Sequence, residues 1–122
     1  MLDHFQNPRN AGVIERVKAR ARLENPACGD MLELSVRVDE KRIVDIGFRA
    51  KGCVPVMACG SAITVLARGK TLAEAGKITR EEVIEEVGGL PQASGHASHL
   101  AVDALKEVLR KATGRGKAGQ RP

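Results

Sequence analysis

Three consecutive stretches of the chain alternate apolar and polar residues, and this pattern constrains the fold more than any other feature. The stretches span residues 17–24, 32–39 and 44–51, and each has the two-residue period of a strand that buries one face. Their connections are short, and the polar tetrad at residues 39–42 fits a hairpin turn. Consecutive strands with short connections predict a three-stranded antiparallel meander that is apolar on one face. In the third strand, that face is predicted to carry Val44, Ile46, Phe48 and Ala50.

The rest of the chain is predicted to be helical, because its apolar residues recur at three- and four-residue steps. The predicted helices cover residues 57–69, 71–77, 79–87 and 98–112. Thr71 with Glu74, and Thr79 with Glu82, form capping-box patterns at the starts of the two middle helices. Helices packed on the apolar face of an antiparallel sheet predict an α+β fold of the two-layer sandwich type.

A single domain over residues 1–112 is expected from the length of 122 residues. Residues 113–122 are predicted to be a basic, disordered tail. The last thirteen residues of the chain carry five basic residues and no acidic one. Such a tail is most simply a solvated terminus, and alternatively it holds phosphate groups or an acidic partner.

Composition narrows the classes of function. The chain has no tryptophan, no tyrosine and two phenylalanines, which argues against nucleic-acid binding by base stacking. No apolar run approaches the roughly 18–20 residues of a membrane span, and the N-terminus lacks the apolar segment of a signal peptide. We therefore expect a cytoplasmic protein. Thiols stay reduced in that compartment, so the three cysteines are predicted to be free, catalytic or metal-binding.

The meander also predicts where the chemistry is located. The loop after the first strand carries Cys28 and Asp30, and the loop after the third strand carries Cys53. Both loops lie at the same end of the predicted sheet, so Cys28 and Cys53 are expected to be close in space. His96 precedes the last predicted helix. Thiolate, imidazole and carboxylate are ligands of zinc and iron–sulfur centres. No two cysteines form a C-x-x-C pair, however, and residues 25–30 alone also fit an ordinary turn.

Several motifs of the chain together resemble one known family. They are Asp3–Gly12, Pro26–Asp30, Lys51–Cys53, Gly69-Lys70, and Leu90-Pro91 followed by His96. In this combination the sequence is similar to the IscU/NifU-type iron–sulfur cluster assembly scaffolds. The resemblance implies an α+β sandwich whose exposed end holds iron or a nascent [2Fe–2S] cluster, or zinc in its absence. It assigns Cys28, Asp30, Cys53 and His96 to the ligand set.

The resemblance further implies the partners of the protein. A cysteine desulfurase or another sulfur donor would supply the sulfide, and apo iron–sulfur proteins would receive the cluster. The same comparison implies no enzymatic activity, and we expect no nucleic acid or membrane as partner. A homo-oligomer is compatible with these expectations.

Two segments depart from the family. Ala97 stands where a third cysteine should directly follow His96, which puts de novo cluster assembly in question. Residues 92–94 are Gln-Ala-Ser in place of the Pro-Val-Lys that such scaffolds offer to an Hsp70-type chaperone, so we do not expect that partner.

Two residues are candidate substitutes for the missing thiol. Cys59 is one, although it also fits the apolar face of its predicted helix. His99 is the other, although it could equally form a surface pair with Asp103. Two other functions stay open: a zinc- or iron-binding homologue that no longer builds clusters, and an enzyme that uses Cys28 or Cys53 as nucleophile with His96 as base.

Overall fold

The computed structural model describes residues 18–25, 29–90 and 95–113. Within these ranges there are three strands and four helices. They are β1 (Ala19–Asn25), β2 (Asp30–Asp39), β3 (Arg42–Lys51), α1 (Val54–Ala67), α2 (Leu72–Ala75), α3 (Arg80–Glu86) and α4 (Gly95–Ala112). Val17 of the predicted first strand and residues 114–122 of the predicted tail lie outside the described residues. The domain boundary therefore stays a prediction.

The three strands form an antiparallel sheet in the order β1-β2-β3. The register aligns Ala21 with Leu34 and Leu34 with Phe48, so the apolar residues of all three strands share one face. Helices α1 and α4 pack on that face. The predicted α+β sandwich with its three-stranded meander is confirmed.

Aliphatic side chains from both layers make up the core. The largest fully buried ones include Leu32, Leu34, Val36, Ile43, Ile46, Val56, Ile63, Leu105 and Val108, and each contributes about 1.5–3 kcal/mol of burial free energy. Helix α1 approaches the sheet so closely that only a glycine fits at its centre. A Cβ at Gly60 would lie 2.7 Å from the ring of Phe48 and 2.9 Å from Leu32.

The predicted apolar face of β3 is wrong at one position. Val44 is 38% exposed, whereas the preceding Ile43 is fully buried. The reason is a shift in register, because Arg37 of β2 pairs with Asp45 while Val38 pairs with Ile43. Val44 is the extra residue of a β-bulge, and the bulge reverses the inward and outward alternation.

Two helices begin three residues earlier than predicted. Helix α1 begins at Val54 with Cys53 as its N-cap, and α4 begins at Gly95. Pro55 is compatible with the first turn of α1 because the N–H groups there have no intrahelical acceptor. Both predicted capping boxes are confirmed at the starts of α2 and α3. None of the described helices combines the length and the apolar character that a membrane span requires.

Candidate metal centre

The site lies at the sheet end where β2 begins and β3 ends. Met31 of β2 pairs with Lys51 of β3, so Asp30 and Cys53 lie side by side just beyond that pair. Helix α4 begins over the same end and brings His96. Three different elements therefore contribute to one cluster, although their residues are far apart in the sequence.

Asp30 is the buried member of the cluster, with a side chain that is 2% exposed. Its Oδ1 accepts a hydrogen bond from the backbone N–H of Cys53 at 3.1 Å. Gly52 makes this contact possible. A Cβ at Gly52 would lie 2.1 Å from Asp30 Oδ1, and φ is +132°, a conformation that L-residues rarely adopt.

The second carboxylate oxygen of Asp30 faces the other two members. Its Oδ2 lies 3.2 Å from Nε2 of His96 and 3.8 Å from Sγ of Cys53. Cys53 Sγ and His96 Nε2 are 3.9 Å apart. The three atoms thus form a small triangle, in which Cys53 is half-buried and the His96 side chain is 34% exposed.

The first turn of α4, which carries His96, is held by a hydrogen-bonded chain. The Ser98 hydroxyl donates to the Gly95 carbonyl at 2.7 Å and accepts from Nε of Arg80 at 3.2 Å. Ser98 is fully buried. This connection ties the start of α3 to the start of α4, and it fixes the turn from which the imidazole projects.

The donor set and its spacing fit a transition-metal ion. Carboxylate oxygen, thiol sulfur and imidazole nitrogen from Asp30, Cys53 and His96 lie within 4.8 Å of one another. A tetrahedral ion with ligand bonds of about 2.0–2.3 Å places its donor atoms roughly 3.3–3.8 Å apart, close to the observed 3.2, 3.8 and 3.9 Å. Zinc or iron would fit this set, and three ligands leave a fourth position open.

Cys28, the fourth predicted ligand, lies outside the described residues. The turn that contains it is bounded by Asn25 and Asp30, which pair across β1 and β2. The Gly29 N–H donates to the Asn25 carbonyl at 2.9 Å. The place of Cys28 in the ligand set stays a prediction.

The two candidate substitutes lie apart from the cluster. Cys59 is fully buried in the core face of α1. Burial, with a smaller contribution from nearby Cys53, raises the pKa of the Cys59 thiol to about 12. His99 is exposed on α4. Ala97, at the position expected for a third cysteine, is buried in the core at 1% exposure. Within the described part of the chain, neither candidate belongs to the group that could hold a metal.

Arg80 and Ser98 were missed by the sequence reasoning, and Gly52 was noted only as part of a loop motif. A glycine directly before a ligand cysteine is the one signal that pointed to Gly52. The contact between Arg80 and Ser98 depends on how α3 packs against α4, and no local sequence pattern predicts it.

Fold and site together define a class: a small α+β domain that presents a carboxylate, a thiol and an imidazole at one end of a three-stranded sheet. Comparison with known families gives the assignment within that class. The chain belongs to the family described as NifU-like N terminal domain, which matches it over residues 1–118.

Relatives from archaea and bacteria match most of the chain. The iron-sulfur cluster assembly scaffold protein IscU 1 of Archaeoglobus fulgidus is 46% identical over 109 residues, which are 89% of this chain and 71% of the relative. The scaffold protein IscU of Haemophilus influenzae is 37% identical and covers 89% of each chain.

Solved structures show the same architecture. A crystal structure of a hypothetical protein superposes with a TM-score of 0.72 at 33% identity, covering 88% of this chain and 92% of that one. A NifU-like N-terminal protein from Brucella abortus has a TM-score of 0.73 at 17% identity over 93% and 92% of the two chains. At that identity the second likeness shows the fold alone.

Proposed function

We propose that this protein is a scaffold or carrier in iron–sulfur cluster assembly. It would receive iron and sulfide, or a preformed [2Fe–2S] cluster, and deliver this cargo to apoproteins. The observation that supports the proposal most directly is the convergence of Asp30, Cys53 and His96 on one point. The relatives of Archaeoglobus fulgidus and Haemophilus influenzae, named as iron-sulfur cluster assembly scaffolds, add to it.

Each side chain has a distinct role in holding the cargo. Cys53 supplies a soft thiolate and His96 an imidazole, both of which bind iron well. Asp30 supplies a harder oxygen, and Cys28 is proposed as a fourth ligand. Because the His96 side chain is 34% exposed, a recipient protein can reach the centre, which favours transfer over permanent retention.

The proposed role defines the partners. A cysteine desulfurase or another donor supplies persulfide sulfur, which a separate two-electron reductant converts to sulfide, and apo iron–sulfur proteins accept the cluster, with both exchanges in the cytoplasm. The chain needs no catalytic side chain for this work, because ligation and ligand exchange are sufficient.

Buried Ala97 favours a second candidate function. The residue at this position is an alanine at 1% exposure, so it provides no thiol to accept sulfur beside His96. The second candidate is a zinc- or iron-binding homologue that no longer assembles clusters.

Anaerobic reconstitution distinguishes the two functions. The protein is incubated with iron, sulfide and thiol, desalted, and analysed for metal, acid-labile sulfide and visible absorbance. A scaffold should retain about two iron and two sulfide per site with charge-transfer bands, and it should pass them to an apo [2Fe–2S] ferredoxin. Stoichiometric zinc binding without sulfide retention would instead establish the second function.

A histidine pair on one helix provides the matched control. His96→Gln should lower cluster loading strongly because it removes a ligand, whereas His99→Gln changes an exposed histidine three positions away and should load like the wild type. Equal loading in both variants would remove His96 from the site.

A further inference from the structure

A concave region lies at the far end of the sheet from the candidate metal centre. It is a groove of about 1050 Å³ between the β2–β3 turn, α2 and the C-terminal end of α4. Asp30 starts β2 at the metal centre, whereas Val38 near the other end of β2 lines the groove. A strand of this length spans about 30 Å, so the two regions are well separated.

The groove combines an apolar floor with a basic rim. The floor is formed by Val38, Leu72, Leu109 and Ala112, and the rim by Lys18, Lys41, Lys77, Lys106 and Arg110. Among the described lining residues, Glu40 is the single acidic one.

Most of the positive charge of this rim is not balanced by described residues. Across the described ranges, the ammonium groups of the four rim lysines have no carboxylate within ion-pairing distance, whereas Arg110 pairs with Glu107. Basic residues on the open face of the sheet differ, because Arg49 pairs with Glu33 and Arg37 pairs with Asp45. Unbalanced charge of one sign around an apolar floor favours a ligand of opposite sign that also offers apolar groups.

We infer that this groove docks an acidic, amphipathic segment of a partner protein. Carboxylates of that segment pair with the rim lysines, while its aliphatic side chains cover the floor formed by Leu72 and Leu109. A nucleic acid would satisfy the rim, but it would leave the floor without a matching surface, since none of the described lining residues is an aromatic that could stack on bases.

A partner in this groove leaves the metal centre open. Because about 30 Å separates the two regions, a recipient or donor protein can stay attached by its acidic segment while its own ligands reach the centre. The inference concerns attachment alone, so its test does not depend on the proposed cluster chemistry.

Fluorescence anisotropy with a labelled synthetic peptide of glutamate and leucine tests the inference on the full chain. The wild type should bind, and binding should weaken as salt rises from ~0.1 M to ~1 M, where the Debye length falls from about 10 Å to about 3 Å. Lys77→Glu with Lys106→Glu should weaken binding by on the order of tenfold. Both lysines are exposed, so thermal unfolding and metal loading should stay at wild-type values.

Charge-matched and composition-matched controls complete the design. Arg49→Glu reverses an exposed charge on the open face of the sheet, at a residue that does not line the groove. This variant should bind like the wild type, whereas Lys106→Glu alone should bind more weakly. A polyglutamate peptide without leucine should bind more weakly than the mixed peptide. Equal weakening by Arg49→Glu, equal binding of polyglutamate, or full competition by single-stranded DNA would each overturn the inference.

Self-association through the groove is the remaining alternative to a partner protein. Helix α3 carries Glu81, Glu82 and Glu85 on the surface, and a second copy of the chain could present it to the groove. In sedimentation, the wild type should be monomeric, or should form a dimer that the double variant Lys77→Glu with Lys106→Glu forms equally well. A wild-type dimer that the double variant no longer forms would assign the groove to self-association and overturn the partner assignment.

Discussion

Replacing Gly52 with alanine should impair the metal centre far more than the fold. A Cβ at Gly52 lies 2.1 Å from Oδ1 and 3.0 Å from Cα of Asp30. The backbone atom cannot move easily, so the carboxylate must shift by about 1 Å, whereas metal–ligand distances tolerate about 0.2 Å. The displaced carboxylate also loses its hydrogen bond from the Cys53 N–H. Zinc affinity should fall about 10–100-fold, the range that loss of an orienting group produces.

Gly89→Ala is the matched control for this substitution. Gly89 has a φ of +103°, and a Cβ there meets nothing within 4 Å. Both variants therefore carry the conformational cost of a left-handed residue, about 1–3 kcal/mol, but only Gly52→Ala displaces Asp30, a proposed ligand. Thermal unfolding of the metal-free proteins measures the loss of stability that this backbone conformation causes in both variants.

Zinc titration against a competing chelator measures the loss of zinc affinity that the displacement of Asp30 causes. Gly89→Ala should bind zinc like the wild type, and Gly52→Ala should not. Wild-type affinity in Gly52→Ala, together with a stability loss like that of the control, would refute the reasoning that the close approach of Gly52 to Asp30 positions the ligand.

Three further predictions follow from other contacts. At pH 8, iodoacetamide should modify Cys53 and leave Cys59 unmodified in peptide mass spectra of the folded protein, because burial raises the pKa of Cys59 to about 12. Arg80→Ala should reduce zinc affinity, with partial rescue by Arg80→Lys, because it releases the turn that carries His96, a proposed ligand. Hydrogen bonds from Thr71 lower the pKa of Glu74, so its contribution to stability is present above the ordinary glutamate pKa and is lost as pH falls through the lowered value. Melting temperatures of Glu74→Gln should therefore depend less on pH in the acid range.

The fold was predictable because its signals are local. The two-residue period of β2, with Leu32, Leu34 and Val36 pointing inward, needs no knowledge of distant residues. The bulge at Val44 was not predictable in this way, because it arises from how two strands pair. The helix starts were predicted too late for a different reason. Val54-Pro55-Val56 lacks helical periodicity, and Gly95 has a low helix propensity.

The site was predictable in part because antiparallel topology brings defined loops together. This reasoning placed Asp30 and Cys53 at one end of the sheet, and the structure shows them in contact. His96 was a candidate ligand from its residue type and its place before the last helix, but only the family resemblance assigned it to the site, since nothing in its local sequence indicates that α4 starts over that end. The Arg80–Ser98 connection depends on helix packing and lay beyond any sequence pattern.

The two carboxylate oxygens of Asp30 have different partners, and this difference bears on how the site binds and releases a metal. Oδ1 is fixed by the Cys53 backbone N–H, while Oδ2 faces the thiol and the imidazole. The carboxylate is therefore held in place by the strand ends before any metal binds. Under the proposed scaffold function, loading and unloading would then require little reorganisation free energy, and repeated cycles of the same chain would be limited by ligand exchange with its partners.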